Sequence, residues 1–137
     1  MESMLETVRQ AGAVPFEAGC IWLITSTSRK AWVIPKGCQE PGQSESEAAL
    51  QETWEEAGLK GTLSPEPLGS YSYRKWGKIC LVSVFVMDVT SVAADWPERS
   101  VRERKRLAPG EALRLIDDEG LVELIRKALA LKMITVD

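Results

Sequence analysis

Residues 79–86, with the sequence ICLVSVFV, form a nearly continuous apolar run, and this run constrains the fold of the chain most. β-Branched and aromatic residues of this kind favour β-strands. A strand that is apolar on both faces has to be covered on both faces, as happens in sheets packed between helices. We therefore expect a central strand at residues 79–89, with a layer of structure on each side.

Shorter segments predict the remaining elements. Apolar runs bounded by glycine, proline, serine or threonine predict further strands at residues 8–16, 19–26, 31–34 and 70–73. Capping signals and helical spacing of apolar residues predict helices at residues 44–58 and 118–131. The order strand, strand, helix, strand, strand, helix predicts an α/β sandwich with a mixed β-sheet between helices.

The segments between these elements are expected to be irregular. Residues 37–43 have the composition of a loop, and residues 74–78 form a basic turn between two strands. Residues 91–110 are polar and basic and contain two prolines, which indicates an excursion over the surface. Trp76, in the basic turn, has two interpretations: it stacks on the base of a ligand, or it caps a hairpin.

Length, charge and composition limit the class of protein. A chain of 137 residues predicts a single domain over residues 1–137. Its apolar runs are too short to span a bilayer, and its acidic start (Met1, Glu2, Glu6) is unlike a signal peptide. Three cysteines without paired spacing are typical of reduced thiols. We therefore expect a cytoplasmic protein without a membrane partner.

The chain contains no histidine, and its net charge is −3. A Ser-His-Asp or Cys-His mechanism and a histidine-ligated zinc site are therefore excluded. The net charge gives no support for general nucleic-acid binding. Acid–base or metal chemistry in this chain has to use carboxylates, lysine, tyrosine or cysteine.

Three carboxylates converge on the first predicted helix. Glu52, Glu55 and Glu56 stand at positions i, i+3 and i+4, which share one helical face. Like charges at this spacing repel each other by a few tenths of a kcal/mol per pair, and a bound divalent cation removes that conflict. Hard oxygen ligands suit Mg²⁺, with Mn²⁺ as a substitute. The alternative is a solvated acidic face without a ligand.

The residues around these glutamates resemble the Nudix box. The matching positions are Gly37, Glu52, Thr53, Glu55, Glu56, Gly58 and Leu59. The resemblance implies a Nudix-type α/β/α sandwich and Mg²⁺-dependent cleavage of a phosphoanhydride bond. It further implies metal ligation by Glu52, Glu55 and Glu56, with Glu55 or Glu56 as the catalytic group that orients or deprotonates a water. Because the base of some family members lies outside the box, Glu98 and Glu103 are alternatives.

Two positions depart from the family pattern. Gln43 replaces the first glutamate of the box, and Gln51 replaces its arginine. In the family these side chains belong to a charged network that helps to orient the metal-binding glutamates. Two glutamines can still hydrogen-bond each other, so we interpret the pair as a neutral replacement of that support. The alternative is a Nudix-fold module that binds a nucleotide or an inositol phosphate without cleaving it.

Outside the box, the chain resembles the diadenosine-polyphosphate and diphosphoinositol-polyphosphate hydrolase branch. The resemblance implies an anionic polyphosphate small molecule as the substrate, which guanidinium and ammonium groups bind well. The expected substrate-binding residues are Arg29, Lys36, Gly37, Arg102, Arg104 and Lys105. Lys36 stands where inositol-preferring members usually have glycine, which favours dinucleoside polyphosphates. A nucleoside-triphosphate hydrolase is a further alternative, and a homodimer through sheet edges or helices stays open.

Overall fold

The structure is a computed structural model, and it describes residues 5–136. The expectation about Met1 and Glu2 lies outside the described residues. The strands are β1 (Thr7–Glu17), β2 (Cys20–Thr25), β3 (Trp32–Val33), β4 (Lys36–Cys38), β5 (Leu59–Leu63), β6 (Gly69–Lys75), β7 (Lys78–Val92) and β8 (Arg104–Leu107). The helices are α1 (Glu45–Ala57), α2 (Pro109–Leu115) and α3 (Glu119–Leu131).

The strands form one mixed sheet, as predicted. Its main path runs β3-β2-β1-β7-β5, while β4 pairs with β1, β6 with β7 and β8 with β2. β1 and β7 are parallel over ten residue pairs, from Thr7 opposite Ile79 to Phe16 opposite Asp88. The other pairings are antiparallel. The parallel pair at the centre needs a long connection, and α1 lies in that connection.

β7 is the central strand that its apolar run predicts, and it is covered on both faces. Val84 belongs to the main core, which includes Leu121 and Ile125 of α3. Its neighbour Phe85 points to the other face, where it packs in a cluster with Ala48 and other small residues of α1. The sheet therefore lies between α1 on one side and α3 on the other, which confirms the α/β sandwich.

The prediction that residues 91–110 form an excursion over the surface is wrong at both ends of this range. β7 continues to Val92, and the basic stretch Arg104–Leu107 forms β8, which pairs with β2. A strand can carry several charged residues when its side chains lie at the protein surface, and here only Leu107 is buried. Pro109 then begins α2, because proline is tolerated in the first turn of a helix.

The expected loop at residues 37–43 is shorter than predicted, because Gly37 and Cys38 belong to β4. β4 pairs with β1, with Ala11 opposite Gly37. α1 packs against β1 and β4, so its carboxylate face lies next to the backbone of residues 36–38. Within the described residues, no helix is long and apolar enough to cross a membrane.

Candidate active site

Both ends of the carboxylate helix α1 are fixed in the way the sequence predicts. The Ser44 hydroxyl accepts a hydrogen bond from the Glu47 amide at 3.1 Å, and a Glu47 carboxylate oxygen accepts one from the Ser44 amide at 3.0 Å. At the other end, Gly58 has φ +66° and donates its amide to the Trp54 carbonyl at 2.9 Å. Glycine adopts this left-handed backbone conformation without steric strain, so the helix ends here.

Glu52 lies directly against the backbone of Gly37. A Cβ at residue 37 would stand 2.2–2.5 Å from the carboxylate atoms of Glu52, closer than real Cβ atoms approach anything. The absence of a side chain at Gly37 therefore makes room for a carboxylate that the sequence predicts as a metal ligand. This close approach is the physical reason for glycine at that position.

Protein donors hold both carboxylate oxygens of Glu56. The Lys36 amide donates to Oε1 at 3.1 Å, and Arg102 Nη2 donates to Oε2 at 3.0 Å. The same guanidinium donates from Nε to Glu98 Oε1 at 2.7 Å and from Nη1 to the Thr25 carbonyl at 3.0 Å. Arg102 thus ion-pairs with both Glu56 and Glu98. Glu56 has a single fixed orientation.

The two inner carboxyl groups have raised pKa values. Burial, together with the negative charges of Glu56 and Glu55, raises the pKa of Glu52 to about 7. Burial also raises the pKa of Glu56 to about 7, although Arg102 and the Lys36 amide act in the opposite direction. Buried carboxylates that repel each other near neutral pH form a site at which a divalent cation relieves the repulsion.

The carboxylates suit a Mg²⁺ ion that is bound by the protein and the substrate together. Among residues 5–136, no three acidic or cysteine side chains are arranged so that they could enclose a metal ion by themselves. Mg²⁺ does not need such an arrangement, because it usually binds through one or two carboxylates and completes its coordination with waters and substrate phosphates. The oxygen donors of Glu52, Glu55 and Glu56 therefore suit an ion that the substrate helps to hold.

Gln43 and Gln51 form the hydrogen bond that their replacement of a charged pair predicts. Gln43 Nε2 donates to Gln51 Oε1 at 2.7 Å, and Gln51 Nε2 donates to Glu55 Oε1 at 3.0 Å. Gln43 is held in turn by the Glu40 amide, which donates to its Oε1 at 3.0 Å. Glu55 is therefore oriented by a chain of neutral amides.

The segment 93–104, which ends at the first residue of β8, binds the C-terminal end of α1. The carbonyls of residues 55–58 each accept a hydrogen bond from it. The donors, in the order of the carbonyls, are the Glu98 amide (3.0 Å), the Trp96 indole (3.0 Å), the Arg104 guanidinium (2.8 Å) and the Ala93 amide (2.9 Å). Carbonyls at the end of a helix lack intrahelical partners, so these bonds both satisfy them and fix the position of the helix end.

Arg104, expected from the resemblance to bind substrate, lies against two tryptophan rings, and its contact with substrate stays a prediction. Its guanidinium lies 3.9 Å from the ring centroid of Trp96 and 5.4 Å from that of Trp22. It also donates to the carbonyls of Ala57 and Ala93, and burial lowers its pKa. Arg104 does not line the cavity described next. The side chain is occupied in holding the 93–104 segment against α1.

A cavity of about 570 Å³ opens beside the carboxylates. Five of the expected site residues line it: Lys36, Gly37, Glu52, Glu56 and Arg102. Lys36 is largely buried, and this burial lowers its pKa; its ammonium lies 5.1 Å from the centre of the Tyr73 ring. The cavity therefore joins acidic groups on one wall to a lysine that ion-pairs with none of the described carboxylates within 4 Å.

Arg29, Lys105 and Glu103 lie outside this cavity. Arg29 is exposed and donates to the Ser100 carbonyl at 3.1 Å, and the ammonium of Lys105 lies 5.9 Å from the centre of the Trp32 ring. Glu103 is exposed, and its amide donates to the Thr25 hydroxyl at 2.9 Å. The substrate contacts expected of Arg29 and Lys105 stay predictions that require a ligand extending beyond the cavity, and the alternative of Glu103 as the base also stays a prediction.

Several residues of the cavity wall are not among those expected from the sequence. Tyr71 and Tyr73 line it from β6, and Gln10 lines it from β1, where it accepts a hydrogen bond from the Tyr73 hydroxyl at 2.7 Å. Trp76, at 64% exposure, and Asp117 also line it. The alternation of tyrosines in β6 was a signal that both face the same side of the sheet.

Comparisons with known proteins agree with this geometry. The model of the NUDIX domain family matches residues 6–128, which is most of the chain. The chain therefore belongs to the Nudix family, and its relatives are Nudix hydrolases.

Particular relatives are similar to this chain at moderate identity. Nudix hydrolase 12, mitochondrial, of Arabidopsis thaliana is 35% identical over 117 residues, which cover 80% of this chain and 58% of the relative. Diphosphoinositol polyphosphate phosphohydrolase 3-beta of Bos taurus is 36% identical over 86 residues, covering 61% and 51%. The chain thus spans little more than half the length of these relatives.

The fold is also shared with solved structures. The crystal structure of an Ap4A hydrolase of C. elegans superposes with a TM-score of 0.76 at 26% sequence identity. The match covers 94% of this chain and 99% of that chain. The α/β/α arrangement with its mixed sheet is therefore the Nudix fold.

Proposed function

We propose that this protein hydrolyses a phosphoanhydride bond in a polyphosphate-bearing small molecule, with Mg²⁺ as its cofactor and Mn²⁺ as a substitute. The observation that carries the proposal is the meeting of Glu52 and Glu56 with Lys36 at the wall of one cavity. Carboxylates provide metal ligands, and a buried ammonium provides a counter-charge for phosphate. Neither a solvated acidic face nor a packing role accounts for both.

Glu52, Glu55 and Glu56 would hold the metal. When bound, the ion lowers the pKa of a water and neutralises charge that develops on the phosphates. The chain itself fixes the ligands: Gly37 leaves room for Glu52, and the Lys36 amide holds Glu56 at 3.1 Å. Ligands that are held in advance do not have to be ordered when the substrate arrives.

Glu55, which does not itself line the cavity, is the better candidate for the group that orients or deprotonates the attacking water. Glu56 has both oxygens occupied by protein donors, whereas Glu55 accepts one hydrogen bond, from Gln51, among the described residues. Its second oxygen is free to accept a proton. Glu98 is less suitable as a base, because one of its oxygens is ion-paired with Arg102 at 2.7 Å.

The cavity favours a dinucleoside polyphosphate over a diphosphoinositol polyphosphate. Its wall includes the aromatic rings of Trp32, Tyr73 and Trp76, which suit stacking on a base. Asp117 in the same wall would repel the ring phosphates of an inositol polyphosphate, whereas it can accept a hydrogen bond from a base amino group. The names of the relatives include both substrate classes.

A substrate panel tests this proposal. We expect Mg²⁺-dependent release of nucleotide from diadenosine tetra- to hexaphosphate, and slower release of phosphate from diphosphoinositol pentakisphosphate. ADP-ribose and nucleoside triphosphates complete the panel. Faster turnover of the inositol pyrophosphate would overturn the preference, and absence of turnover with every substrate would overturn the hydrolase.

A binding module without activity is the second candidate function. The neutral chain from Gln43 through Gln51 to Glu55 favours it, since altered support of metal ligands costs about 10–100-fold in affinity or activity. Tight binding of a panel member without turnover would establish it. A cytoplasmic location, a homodimer, the lack of general nucleic-acid binding and a single domain over residues 1–137 stay predictions.

A further inference from the structure

We infer that Arg102 is a positioning residue for Glu56, and that it supplies from the 93–104 segment a positive charge that Gln51, in place of the arginine of the box, does not supply from α1. The inference deepens the proposed function and rests on it for its kinetic part. The expectation that Arg102 binds substrate directly is the alternative that the kinetic test below distinguishes.

Arg102 is placed so that it can hold the Glu56 carboxylate in one direction. Its side chain is 10% exposed, and three of its five N–H groups are engaged: with Glu56, with Glu98 and with the Thr25 carbonyl. Glu98 and Thr25 therefore fix the guanidinium before it meets Glu56. A guanidinium held in this way can fix the direction of Glu56 without moving itself.

The Lys36 amide and Arg102 act on opposite oxygens of Glu56. The amide donates to Oε1 and the guanidinium to Oε2, at 3.1 and 3.0 Å. With one donor removed, the carboxylate can rotate about its last bond, and terminal bonds of this type have broad, shallow minima. Both donors are therefore needed to hold Glu56 in one direction.

The charges around the glutamates support the same conclusion. On the side of α1, Glu55 receives only the neutral amide of Gln51. Arg102 is the only arginine or lysine that ion-pairs with Glu52, Glu55 or Glu56 within 4 Å in the part of the chain that the structure describes. Arg102 is 46 residues away from Glu56 in sequence. The residue that supports Glu56 therefore lies outside the box.

The first test compares the kinetics of Arg102→Gln with those of the wild type. A positioning role predicts that kcat falls by about 10–100-fold while KM changes less than about twofold, since the substrate loses no contact. Arg106→Gln is the matched control: it makes the same charge change on the adjoining strand, where Arg106 pairs with Glu17 at 3.4 Å. A rise in KM with unchanged kcat would overturn the inference and make Arg102 a substrate ligand.

The second test needs neither metal nor turnover. The Lys36 amide proton, which donates to Glu56 Oε1, has an NMR shift that reports this hydrogen bond in the metal-free protein. Arg102→Gln should move the signal upfield and speed its hydrogen exchange, and Arg106→Gln should leave both unchanged. An unmoved Lys36 signal in Arg102→Gln would overturn the inference, even if the protein turned out not to be a hydrolase.

Arg102→Lys keeps the test decisive if Arg102→Gln does not fold. Lysine retains the charge and loses the planar fork that reaches Glu56, Glu98 and Thr25 together. We expect a Lys36 amide signal that is moved upfield from its wild-type position and a kcat below that of the wild type. Wild-type values for both would show that the fork has no positioning role.

Discussion

Gln43 donates a hydrogen bond to Gln51 at 2.7 Å, and through it to Glu55, where family members have a charged pair. The two departures from the family pattern, Gln43 and Gln51, therefore compensate for each other. Changing only one member of a charged pair would leave an unpaired charge beside the carboxylates, which is costly. Changing both leaves a satisfied pair that still orients Glu55. The site thus has a neutral support on one side and an arginine support on the other.

Restoring the charged pair should reveal this coupling. We expect Gln43→Glu alone to destabilise the protein, because it adds a carboxylate near Glu55, and Gln51→Arg to offset that loss in the double variant. For a partly exposed pair, the coupling free energy should be about 0.5–1 kcal/mol. Urea denaturation of the four proteins measures it. Strictly additive effects would show that the two side chains do not act together.

Gly37→Ala should reduce activity with little loss of stability. Its Cβ would meet the carboxylate of Glu52, the end of a flexible side chain that can swing away. Because a displacement of about 1 Å can cost about 100-fold in rate, kcat should fall by that order. Steady-state kinetics and thermal denaturation measure the two effects.

Gly19→Ala is the control for this prediction, with the opposite pattern. Gly19 has φ +76° in the β1–β2 turn, and a Cβ there meets nothing within 4 Å. The left-handed backbone costs alanine about 1 kcal/mol, whereas the site is untouched. Equal losses of activity in both alanine variants would contradict a specific contact between Gly37 and Glu52.

Ser44→Ala should cost about 1 kcal/mol of unfolding free energy, and Ser44→Gly only a few tenths. The alanine variant loses the hydroxyl that accepts a hydrogen bond from the Glu47 amide at 3.1 Å. Guanidinium denaturation of both variants at pH 7 measures the difference. Equal stability of Ser44→Ala and the wild type would show that this cap does not limit the stability of the protein.

Glu47 should make stability depend on pH. Hydrogen bonds from the Ser44 amide and hydroxyl lower the pKa of Glu47 below its usual 4.5. A lowered folded pKa means that the stabilisation is complete above the unfolded value and is lost as pH falls through the folded value. Below about pH 4.5, Glu47→Gln should therefore lose less stability than the wild type. Parallel melting curves of the two proteins against pH would contradict this.

The local signals in the sequence predicted α1 well. Ser44 and Gly58 fix its ends, and the spacing of Glu52, Glu55 and Glu56 needs only a helix in order to converge. The continuous apolar run likewise predicted the central strand β7. These features depend on neighbouring residues, so the sequence contains the information that determines them.

The remaining features depend on contacts between distant residues. β8 consists of Arg-Lys-Arg-Leu, and it is a strand because it pairs with β2, whose partner residues lie 80 to 86 positions earlier in the chain. The positions of Arg102 and Arg104 follow from the way the 93–104 segment binds the end of α1. A basic run gives no sign of which arginine meets a carboxylate and which stacks on tryptophan.

The rate of diadenosine tetraphosphate hydrolysis by wild type and Glu55→Gln across a Mg²⁺ titration tests the central claim most directly. Glu45→Gln, the same change at the start of the same helix, is the control. The account predicts turnover that requires Mg²⁺, a loss of about 100-fold or more in Glu55→Gln, and a wild-type rate in Glu45→Gln. Turnover that is independent of Mg²⁺, or unchanged in Glu55→Gln, would contradict it.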